Sequence, residues 1–311
     1  LRIRQLLEGR EDLNLQLIAD ADRKNTELRR EFLKSADVAI LCLPDKAAEE
    51  AIGLMGNGSA TRLIDTSTAR RVHDDWVYGL PELSLTQRQS IRHGQRVANP
   101  GCYPVGFVLA IRPLIESGLL DPEFPLTVNA VSGYSGGGRK MIASYQQTPA
   151  GDNGDAPIPL ALYGLDGTHK HLPEMEKFSL TKQPPMFVPS INHQLCGMLV
   201  STPLPAASFL RKSVSRQQVW EIWNDAYGSE PFVNPVAPAN SEGVLRSGSF
   251  LDFDGANFTN RIDLFVFGNE KSGVILVGRQ DNLGKGASGN VVQCLNLMIG
   301  VDEVTGLTVH A

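Results

Sequence analysis

The segment Val38-Ala-Ile-Leu-Cys-Leu43, followed by Pro44-Asp45, decides how the first part of the chain folds. A continuous apolar run that ends at a proline is typical of a strand buried on both faces of a sheet. Residues 46–55 predict a helix, and Arg62-Leu-Ile-Asp65 predicts the next strand. This alternation indicates an α/β fold with a doubly wound parallel sheet, which binds ligands at the carboxyl ends of its strands.

The residues before this strand continue the alternation. Apolar spacing predicts a helix over residues 1–7, a strand over 13–18 and a helix over 26–33. A nucleotide-binding sheet opens with a strand and a glycine-rich turn, and we expect both to precede Leu1. The G-x-G-x-x-G string Gly284-Lys-Gly-Ala-Ser-Gly289 has only 22 residues after it. That is too few for a βαβ unit, so this string is not predicted to be a dinucleotide fingerprint.

From about residue 100 the pattern changes to strands with segregated helices. A helix is predicted over residues 104–116, and Gly289–Ile299 predicts a C-terminal helix that packs back on the first lobe. Further strands are predicted at Thr127-Val-Asn-Ala-Val131, Met198-Leu-Val-Ser201, Asp263-Leu-Phe-Val-Phe267 and Val274-Ile-Leu-Val277. The pattern indicates a second, α+β lobe with a mixed sheet, and its broad apolar sheet suggests self-association.

The composition is that of a globular chain and excludes several classes of protein. The chain has 311 residues, which suits two lobes, and its 42% hydrophobic and 20% charged residues argue against a disordered or fibrous protein. A formal net charge of −5 without a basic cluster argues against nucleic-acid binding. No apolar run approaches the roughly 20 residues of a membrane span, and no signal peptide opens the sequence. We therefore expect a cytoplasmic enzyme that acts on a small molecule.

Cys102 is the strongest candidate for a catalytic group. It lies in the string Asn99-Pro-Gly-Cys-Tyr-Pro-Val-Gly106, directly before the helix predicted to begin at Pro104. A thiol at a helix N-terminus faces free backbone amides and the positive end of the helix dipole, which favour the reactive thiolate. The alternative is a buried structural thiol, the role that we predict for Cys42, Cys196 and Cys294. The spacing of the four cysteines indicates neither a disulfide framework nor a zinc site.

The string His169-Lys-His171, followed by Pro173-Glu174, supplies candidate acid–base groups. On a strand, residues i and i+2 point to the same face, so we expect both imidazoles to line one side of a pocket. An enzyme that uses a thiolate needs an acid or base that titrates near neutral pH, as imidazole does. A metal site would need a third ligand that the sequence does not indicate, and a solvated loop is the remaining alternative.

Two further segments combine turns with hydroxyl and basic side chains. Val131-Ser-Gly-Tyr-Ser-Gly-Gly-Gly-Arg139 predicts a strand that runs into a glycine-rich turn, whose backbone N–H groups suit an anion or an amide. Asp65-Thr-Ser-Thr-Ala-Arg-Arg71 follows a predicted strand, where an arginine can bind a phosphate or carboxylate through two hydrogen bonds. A plain flexible turn and surface arginines are the alternatives.

These strings resemble a known family of enzymes. Asn99-Pro-Gly-Cys-Tyr-Pro104 and His169-Lys-His171 are similar to motifs of the N-acetyl-gamma-glutamyl-phosphate reductases, in the shorter form of that family. The other matching strings come in the expected order: Leu41-Cys-Leu-Pro-Asp45, Asp65-Thr-Ser-Thr-Ala69 with Arg71, Tyr78-Gly-Leu-Pro-Glu82, Ser132-Gly-Tyr-Ser-Gly-Gly-Gly138 and Asp281-Asn-Leu-Gly-Lys-Gly-Ala-Ser-Gly289. The last string is shared with aspartate-semialdehyde dehydrogenases, so it indicates the superfamily only.

The resemblance implies a fold and a reaction. The fold is a Rossmann-type NADP-binding domain of residues 1–101, completed by 285–311, with a catalytic and oligomerisation domain of residues 102–284. The reaction is the NADPH-dependent reduction of N-acetyl-glutamyl 5-phosphate to the semialdehyde with release of phosphate, a step of arginine biosynthesis, through a cysteine thioester. The implied assembly is a homo-oligomer, either a dimer or a tetramer.

The resemblance also implies roles for single residues. Cys102 is the implied nucleophile and His171 the implied acid–base group, with His169 as its alternative. Contacts to the substrate are implied for Arg71, Asn99, Ser135 and Gly136. Contacts to the cofactor are implied for Leu43, Pro44, Ser67, Gly136 and Asn282. Arg23 and Lys24 favour the 2′-phosphate of NADP, whereas the acidic residues beside them would favour NAD.

Three alternative functions stay open. An aspartate-semialdehyde or amino-adipate-type semialdehyde dehydrogenase would differ in the length of its pocket. A non-catalytic ligand-binding relative would keep the scaffold but have a Cys102 no more reactive than free cysteine. A cysteine hydrolase using Cys102 and His171 would turn over thioesters without a nicotinamide, and the doubly wound first lobe argues against it.

Overall fold

A computed structural model describes residues 2–56, 58–147, 158–211 and 213–309. Contacts divide the chain into two compact units, Leu1–Pro100 with Ala287–Leu307 and Gly101–Gly286 with Thr308–Ala311. The domain boundaries implied by the resemblance stay a prediction. Leu1, the start of the first predicted helix, lies outside the described residues. No helix within the described ranges is both long and apolar enough to cross a membrane.

The first unit is a parallel sheet packed between helices. Its strands are β1 (Val38–Leu41), β2 (Arg62–Asp65), β3 (Val77–Tyr78) and β4 (Arg96–Ala98). They pair in the order β1-β2-β4-β3, and each pair is parallel. Its helices are α1 (Arg2–Leu7), α2 (Thr26–Ser35), α3 (Asp45–Met55), α4 (Leu85–His93) and the C-terminal helix (Gly289–Ile299).

Hydrophobic side chains cover both faces of this sheet. On β2, the neighbouring residues Leu63 and Ile64 are both fully buried, and period-two alternation turns them to opposite faces. Leu63 belongs to a core cluster with side chains of α2 and α3, whereas Ile64 belongs to a cluster dominated by the C-terminal helix. The doubly wound sheet and the packing of the C-terminal helix on it are therefore confirmed.

One strand predicted for this unit does not form among the described residues. Residues 13–18 carry the alternating pattern but have no regular secondary structure, and Leu15 and Leu17 are exposed. A strand needs a neighbour that satisfies its backbone N–H and C=O groups. Within the described ranges, β1 lies at the end of the sheet and pairs only with β2, so its other edge is not paired with residues 13–18.

The structure also corrects one of the three predicted core thiols. Cys196 and Cys294 are buried as predicted, but Cys42 is exposed. Cys42 directly follows Leu41, the buried last residue of β1, and therefore lies beyond the end of the strand. All four cysteines are thiols outside any disulfide.

The second unit is built around a mixed sheet. Its strands are β5 (Thr127–Gly133), β6 (Leu160–Leu162), β7 (Met186–Asn192), β8 (Met198–Pro205), β9 (Val233–Pro235), β10 (Leu245–Arg246), β11 (Phe250–Leu251), β12 (Ile262–Asn269) and β13 (Gly273–Gln280). Seven of them form one sheet in the order β6-β7-β5-β8-β13-β12-β9, and β10 pairs with β11. Its helices are α5 (Cys102–Glu116), α6 (Gly138–Gln147), α7 (Leu172–Ser179), α8 (Arg216–Tyr227) and α9 (Pro238–Ser241). Parallel pairs (β5 with β7, β9 with β12) join antiparallel ones, which confirms the predicted mixed sheet.

Helix α5 is apolar on almost every side and is buried within the second unit. It approaches the sheet closely, because a Cβ atom at Gly278 of β13 would lie only 3.2 Å from the Cα atom of Gly106. From α8, Trp223 donates its indole N–H to the carbonyl oxygen of Ala110 at 2.9 Å. These contacts fix the axis of α5, and hence the position of Cys102 at its N-terminal end.

Candidate active site

Cys102 is the first residue of α5 and is partly exposed. The helix begins two residues before the predicted start at Pro104, and Gly101 is its N-cap residue in an extended conformation. The first amides of a helix have no partner inside it, and they carry the positive end of the helix dipole. The surroundings of Cys102 therefore favour a thiolate.

Glu174 connects the start of α7 to the residue before Cys102. Its side chain is buried, and Oε2 accepts a hydrogen bond from the Gly101 backbone N–H at 3.0 Å. A hydrogen bond to an ionised carboxylate is stronger than one between neutral groups. This bond joins the first turns of α5 and α7, so it brings Cys102 and His171 into the same region of the unit.

The two histidines meet in a turn and not on a strand as predicted. His169 lies in the turn before α7, and His171 is the N-cap residue of that helix. The strand prediction is wrong because the helix already begins at Leu172, with Pro173 in its first turn. The rings are nevertheless adjacent: the His171 backbone N–H donates to Nδ1 of His169 at 3.2 Å, and the ring centroids are 4.7 Å apart.

The two imidazoles differ in their surroundings. The ring of His171 is buried and lies 5.8 Å from the ring of Tyr103, the residue after Cys102. The ring of His169 packs edge-on against Phe187 with centroids 5.0 Å apart. Burial, and to a smaller extent the charge of Lys170, lowers the pKa of His169 to about 4. His169 is therefore neutral at physiological pH, which makes it a poor proton donor and favours His171 for that role.

Two tyrosine hydroxyls complete this part of the site. Tyr163 donates to the hydroxyl oxygen of Tyr103 at 3.0 Å, and Tyr103 donates to the carbonyl oxygen of Ser190 at 3.2 Å. Burial raises the pKa of Tyr163 to about 12, and the charge of a Cys102 thiolate acts in the same direction. Burial also raises the pKa of Tyr103. Both phenols are therefore protonated at neutral pH and serve as hydrogen-bond donors.

The glycine-rich turn after β5 carries Ser135 and Gly136. Ser135 is buried and Gly136 is exposed. The amide of Asn282 holds this turn, because Nδ2 donates to Ser135 Oγ at 2.9 Å while Oδ1 accepts from the Gly197 backbone N–H at 3.0 Å. A Cβ atom at Gly136 would lie 2.9 Å from Ser132 Oγ, so glycine leaves this edge of the turn open. Asn282 thus positions the turn that is predicted to contact substrate and cofactor.

The other predicted contacts belong to the first unit and follow its strands. Leu43 and Pro44 come after β1, Ser67 and Arg71 after β2, and Asn99 directly after β4, at the carboxyl ends where such sheets bind ligands. The Nη2 group of Arg71 donates to the carbonyl oxygen of Thr66 at 3.1 Å, and Ser67 Oγ donates to Asp65 Oδ2 at 2.6 Å. Asn99 is buried, and its Oδ1 accepts from Asn290 at 2.8 Å. Arg23 and Lys24 are exposed before α2.

Two residues of the site escaped sequence reasoning. Glu174 appears in a quoted string, but nothing in its neighbours indicates a bond to Gly101, which lies 73 positions away. Gln280 lies directly before the Asp281 string, and its side chain reaches the carbonyl oxygen of Cys102 across 178 positions. Among the described residues, no group of three His, Cys, Asp or Glu side chains is placed to hold a metal ion.

Comparison with known proteins places these residues in a family. The model of the semialdehyde dehydrogenase NAD binding domain matches residues 9–91, and that of the semialdehyde dehydrogenase dimerisation domain matches residues 102–282. N-acetyl-gamma-glutamyl-phosphate reductase 2 of Nostoc sp. is 45% identical over 309 residues, covering 99% of this chain and 95% of that protein. The chain belongs to the N-acetyl-gamma-glutamyl-phosphate reductase family. The relative of the same name from Brucella anthropi is 43% identical over 305 residues, 96% of this chain and 94% of that protein.

Solved structures of semialdehyde dehydrogenases share the fold of this reductase-family chain. Aspartate semialdehyde dehydrogenase II from Vibrio cholerae has a TM-score of 0.62 at 16% identity, covering 86% of this chain and 81% of that one. The aspartate semialdehyde dehydrogenase from Francisella tularensis has a TM-score of 0.62 at 14% identity, covering 87% and 84%. At these identities the likeness shows the fold alone. The family resemblance and the Rossmann-type fold with a mixed-sheet second lobe are confirmed.

Proposed function

We propose that this chain reduces N-acetyl-glutamyl 5-phosphate to N-acetyl-glutamate 5-semialdehyde with NADPH and releases phosphate, in the cytoplasm, as a step of arginine biosynthesis. The observation that carries the proposal is Cys102 at the first position of the buried helix α5, where the ring of the next residue, Tyr103, lies 5.8 Å from the ring of His171. The names of the relatives in Nostoc sp. and Brucella anthropi support this choice of substrate.

The first unit suits an NADP cofactor. Its parallel sheet ends in a row of loops that carry Leu43, Pro44 and Ser67, where a dinucleotide binds on such sheets. Ser67 is held in place by the buried carboxylate of Asp65. Arg23 and Lys24 are exposed cations, as a 2′-phosphate requires. When bound, the nicotinamide supplies the hydride for the reduction.

In the first step, the Cys102 thiolate attacks the acyl carbon of the substrate. A carbon–sulfur bond forms, the carbon–oxygen bond to phosphate breaks, and a thioester results. The leaving phosphate takes the electron pair and one proton, which His171 donates before it takes another from solvent. The Ser135 turn, which Asn282 holds through Ser135 Oγ, lies in the same unit and carries two of the predicted substrate contacts, Ser135 and Gly136.

In the second step, the thioester carbon accepts a hydride and becomes a hemithioacetal oxyanion. The carbonyl then re-forms as the carbon–sulfur bond breaks, which releases the aldehyde and returns Cys102 as a thiolate. This collapse has no net proton transfer, so the single proton of the overall reaction leaves with phosphate. Arg71 is our candidate for a contact to the substrate phosphate, and Asn99 for a further substrate contact.

Turnover of three semialdehydes by the wild-type protein tests the substrate. In the reverse direction, with NADP and phosphate, N-acetyl-glutamate semialdehyde should exceed both aspartate semialdehyde and an amino-adipate semialdehyde in kcat/KM. Each methylene changes kcat/KM by about 10-fold or more, because it alters how well the substrate fills the pocket. NADP should be preferred to NAD. Equal or faster turnover of aspartate semialdehyde would contradict the assignment, as would turnover without phosphate.

We also propose that the protein is a homo-oligomer, a dimer or tetramer, joined through the open face of the mixed sheet. Pro203, Ile275 and Phe267 lie in register across β8, β13 and β12, and Ile275 is 42% exposed. The matching model is that of a dimerisation domain, which argues for a second copy of the chain as the occupant.

Ile275→Glu should dissociate this oligomer, because a carboxylate buried without a partner opposes association. Sedimentation equilibrium of the wild type should give a dimer or a tetramer, and Ile275→Glu should give a monomer. Leu85→Glu is the control, since it adds the same charge at an exposed leucine of the first unit. A monomeric wild type, or an Ile275→Glu protein that stays assembled, would refute the proposed interface.

A further inference from the structure

Gln280 lies at the end of β13, next to the start of α5. Its side chain is fully buried, and Nε2 donates a hydrogen bond to the carbonyl oxygen of Cys102 at 2.6 Å. The same nitrogen lies 3.4 Å from Sδ of Met198. The amide therefore holds the backbone of the residue that carries the candidate nucleophile, and it belongs to an element 178 positions further along the chain.

The segment that contains Gln280 contacts α5 at two further points. Gly278, two residues earlier, would place a Cβ atom 3.2 Å from the Cα atom of Gly106. Gly286, six residues later, would place one 2.9 Å from the Cβ atom of Cys102 and 3.2 Å from Nε2 of Gln280. A side chain at Gly286 would require a neighbouring atom to shift, and one at Gly278 would lie in tight contact with the backbone of α5. Strand β13 and the turn after it therefore pack closely against the first turns of α5.

The oxygen atom of the Gln280 amide indicates why a glutamine occupies this position. Oε1 is buried and has no hydrogen-bond partner in the part of the chain that the structure describes. A buried acceptor without a partner costs free energy, and an apolar side chain of the same length would avoid that cost. The amide is therefore explained by the bond that Nε2 makes to Cys102 and not by the stability of its surroundings.

We propose that Gln280 is a positioning residue for Cys102. Its bond fixes the carbonyl of the first residue of α5, and with it the position of the thiol at the N-terminal end of the helix. Gly286 leaves room for that arrangement. The role assigned to Cys102 rests on the proposed function, but the position of the thiol can be measured without turnover.

Alkylation of Cys102 by iodoacetamide across pH tests this proposal in the full chain, with the modified peptide identified by mass spectrometry. Gln280→Met keeps the length of the side chain but removes the donor, so the first turn loses its anchor. Alkylation at neutral pH should slow about tenfold, which corresponds to an upward shift of its pH midpoint by about one unit. Gln280→Glu should shift the midpoint further, because it adds a negative charge beside the thiolate.

Turnover gives the second readout. In Gln280→Met, kcat should fall about 10- to 100-fold, because the reacting group is misplaced, while KM stays within about threefold. Gln293→Met is the matched control, since Gln293 is equally buried but lies in the C-terminal helix, where it donates to Glu82 and Glu303. The control should alkylate with the wild-type profile.

Each outcome decides the proposal. A wild-type alkylation profile in folded Gln280→Met overturns it, whatever the effect on turnover. If Gln280→Met does not fold, Gly286→Ala replaces it, because its methyl group displaces the Cβ atom of Cys102. An unchanged profile in that variant also overturns the proposal. A wild type that turns over no semialdehyde refutes the proposed function, while the alkylation profiles still decide the role of Gln280.

Discussion

Cys102→Ser should lower kcat for phosphate-dependent NADP reduction by at least about 10³-fold. The serine hydroxyl has nearly the same size, but it stays protonated at neutral pH and cannot form a thioester. The helix N-terminus that favours a thiolate does little for a hydroxyl, whose pKa is far higher. Initial rates with N-acetyl-glutamate semialdehyde, NADP and phosphate give this ratio directly.

Two controls separate this loss from damage to the fold. NADP binding, followed by fluorescence titration, should be unchanged in Cys102→Ser because the predicted cofactor contacts Leu43, Pro44 and Ser67 are untouched. Cys294→Ser should keep activity within about threefold, since its hydroxyl can make the bond that Cys294 Sγ makes to the Gly79 carbonyl oxygen at 3.3 Å. Wild-type-like turnover by Cys102→Ser would contradict the role of Cys102.

His171→Gln should lower kcat by about 10²- to 10⁴-fold, the usual contribution of a positioned acid–base group. Glutamine keeps a polar side chain at the start of α7 but does not titrate near neutral pH. The pH–rate profile should also lose the limb that reports the acid–base group. Measurement of kcat and KM from pH 5 to 9 in the wild type and the variant checks both expectations.

His169→Gln is the informative comparison for His171→Gln. Because burial lowers the pKa of His169 to about 4, its ring is uncharged throughout the working range, and we expect a smaller loss of kcat. The pH limb should remain in His169→Gln. If this variant instead loses more activity than His171→Gln and loses the limb, the acid–base role passes to His169.

The local sequence pattern predicts those helices and strands whose own apolar residues form their buried faces. The run from Val38 forms β1, Arg62–Asp65 forms β2, and Gly289–Ile299 forms the C-terminal helix. In each of them the apolar spacing itself determines which faces are buried. Residues 13–18 have an equally clear alternation but form no strand among the described residues, because the pairing of a strand depends on a neighbour elsewhere in the chain.

The candidate site was predictable only where its chemistry is local. Cys102 could be found because its glycines, its proline and the following helix are contiguous in the sequence. The histidine rings are adjacent as expected, but through a turn, since a helix begins at Leu172 in place of the predicted strand. Glu174 and Gln280 form hydrogen bonds with residues 73 and 178 positions away in the sequence. A local sequence pattern does not predict hydrogen bonds between residues that far apart.

Mass spectrometry of the Cys102 peptide tests whether Cys102 forms the proposed thioester. The wild-type protein is incubated with N-acetyl-glutamate semialdehyde and NADP in the absence of phosphate, and the reaction is quenched in acid, where thioesters persist. We expect an N-acetyl-glutamyl group on Cys102 that disappears when phosphate is added before the quench. Turnover with an unmodified Cys102, or with the acyl group on another residue, would contradict it.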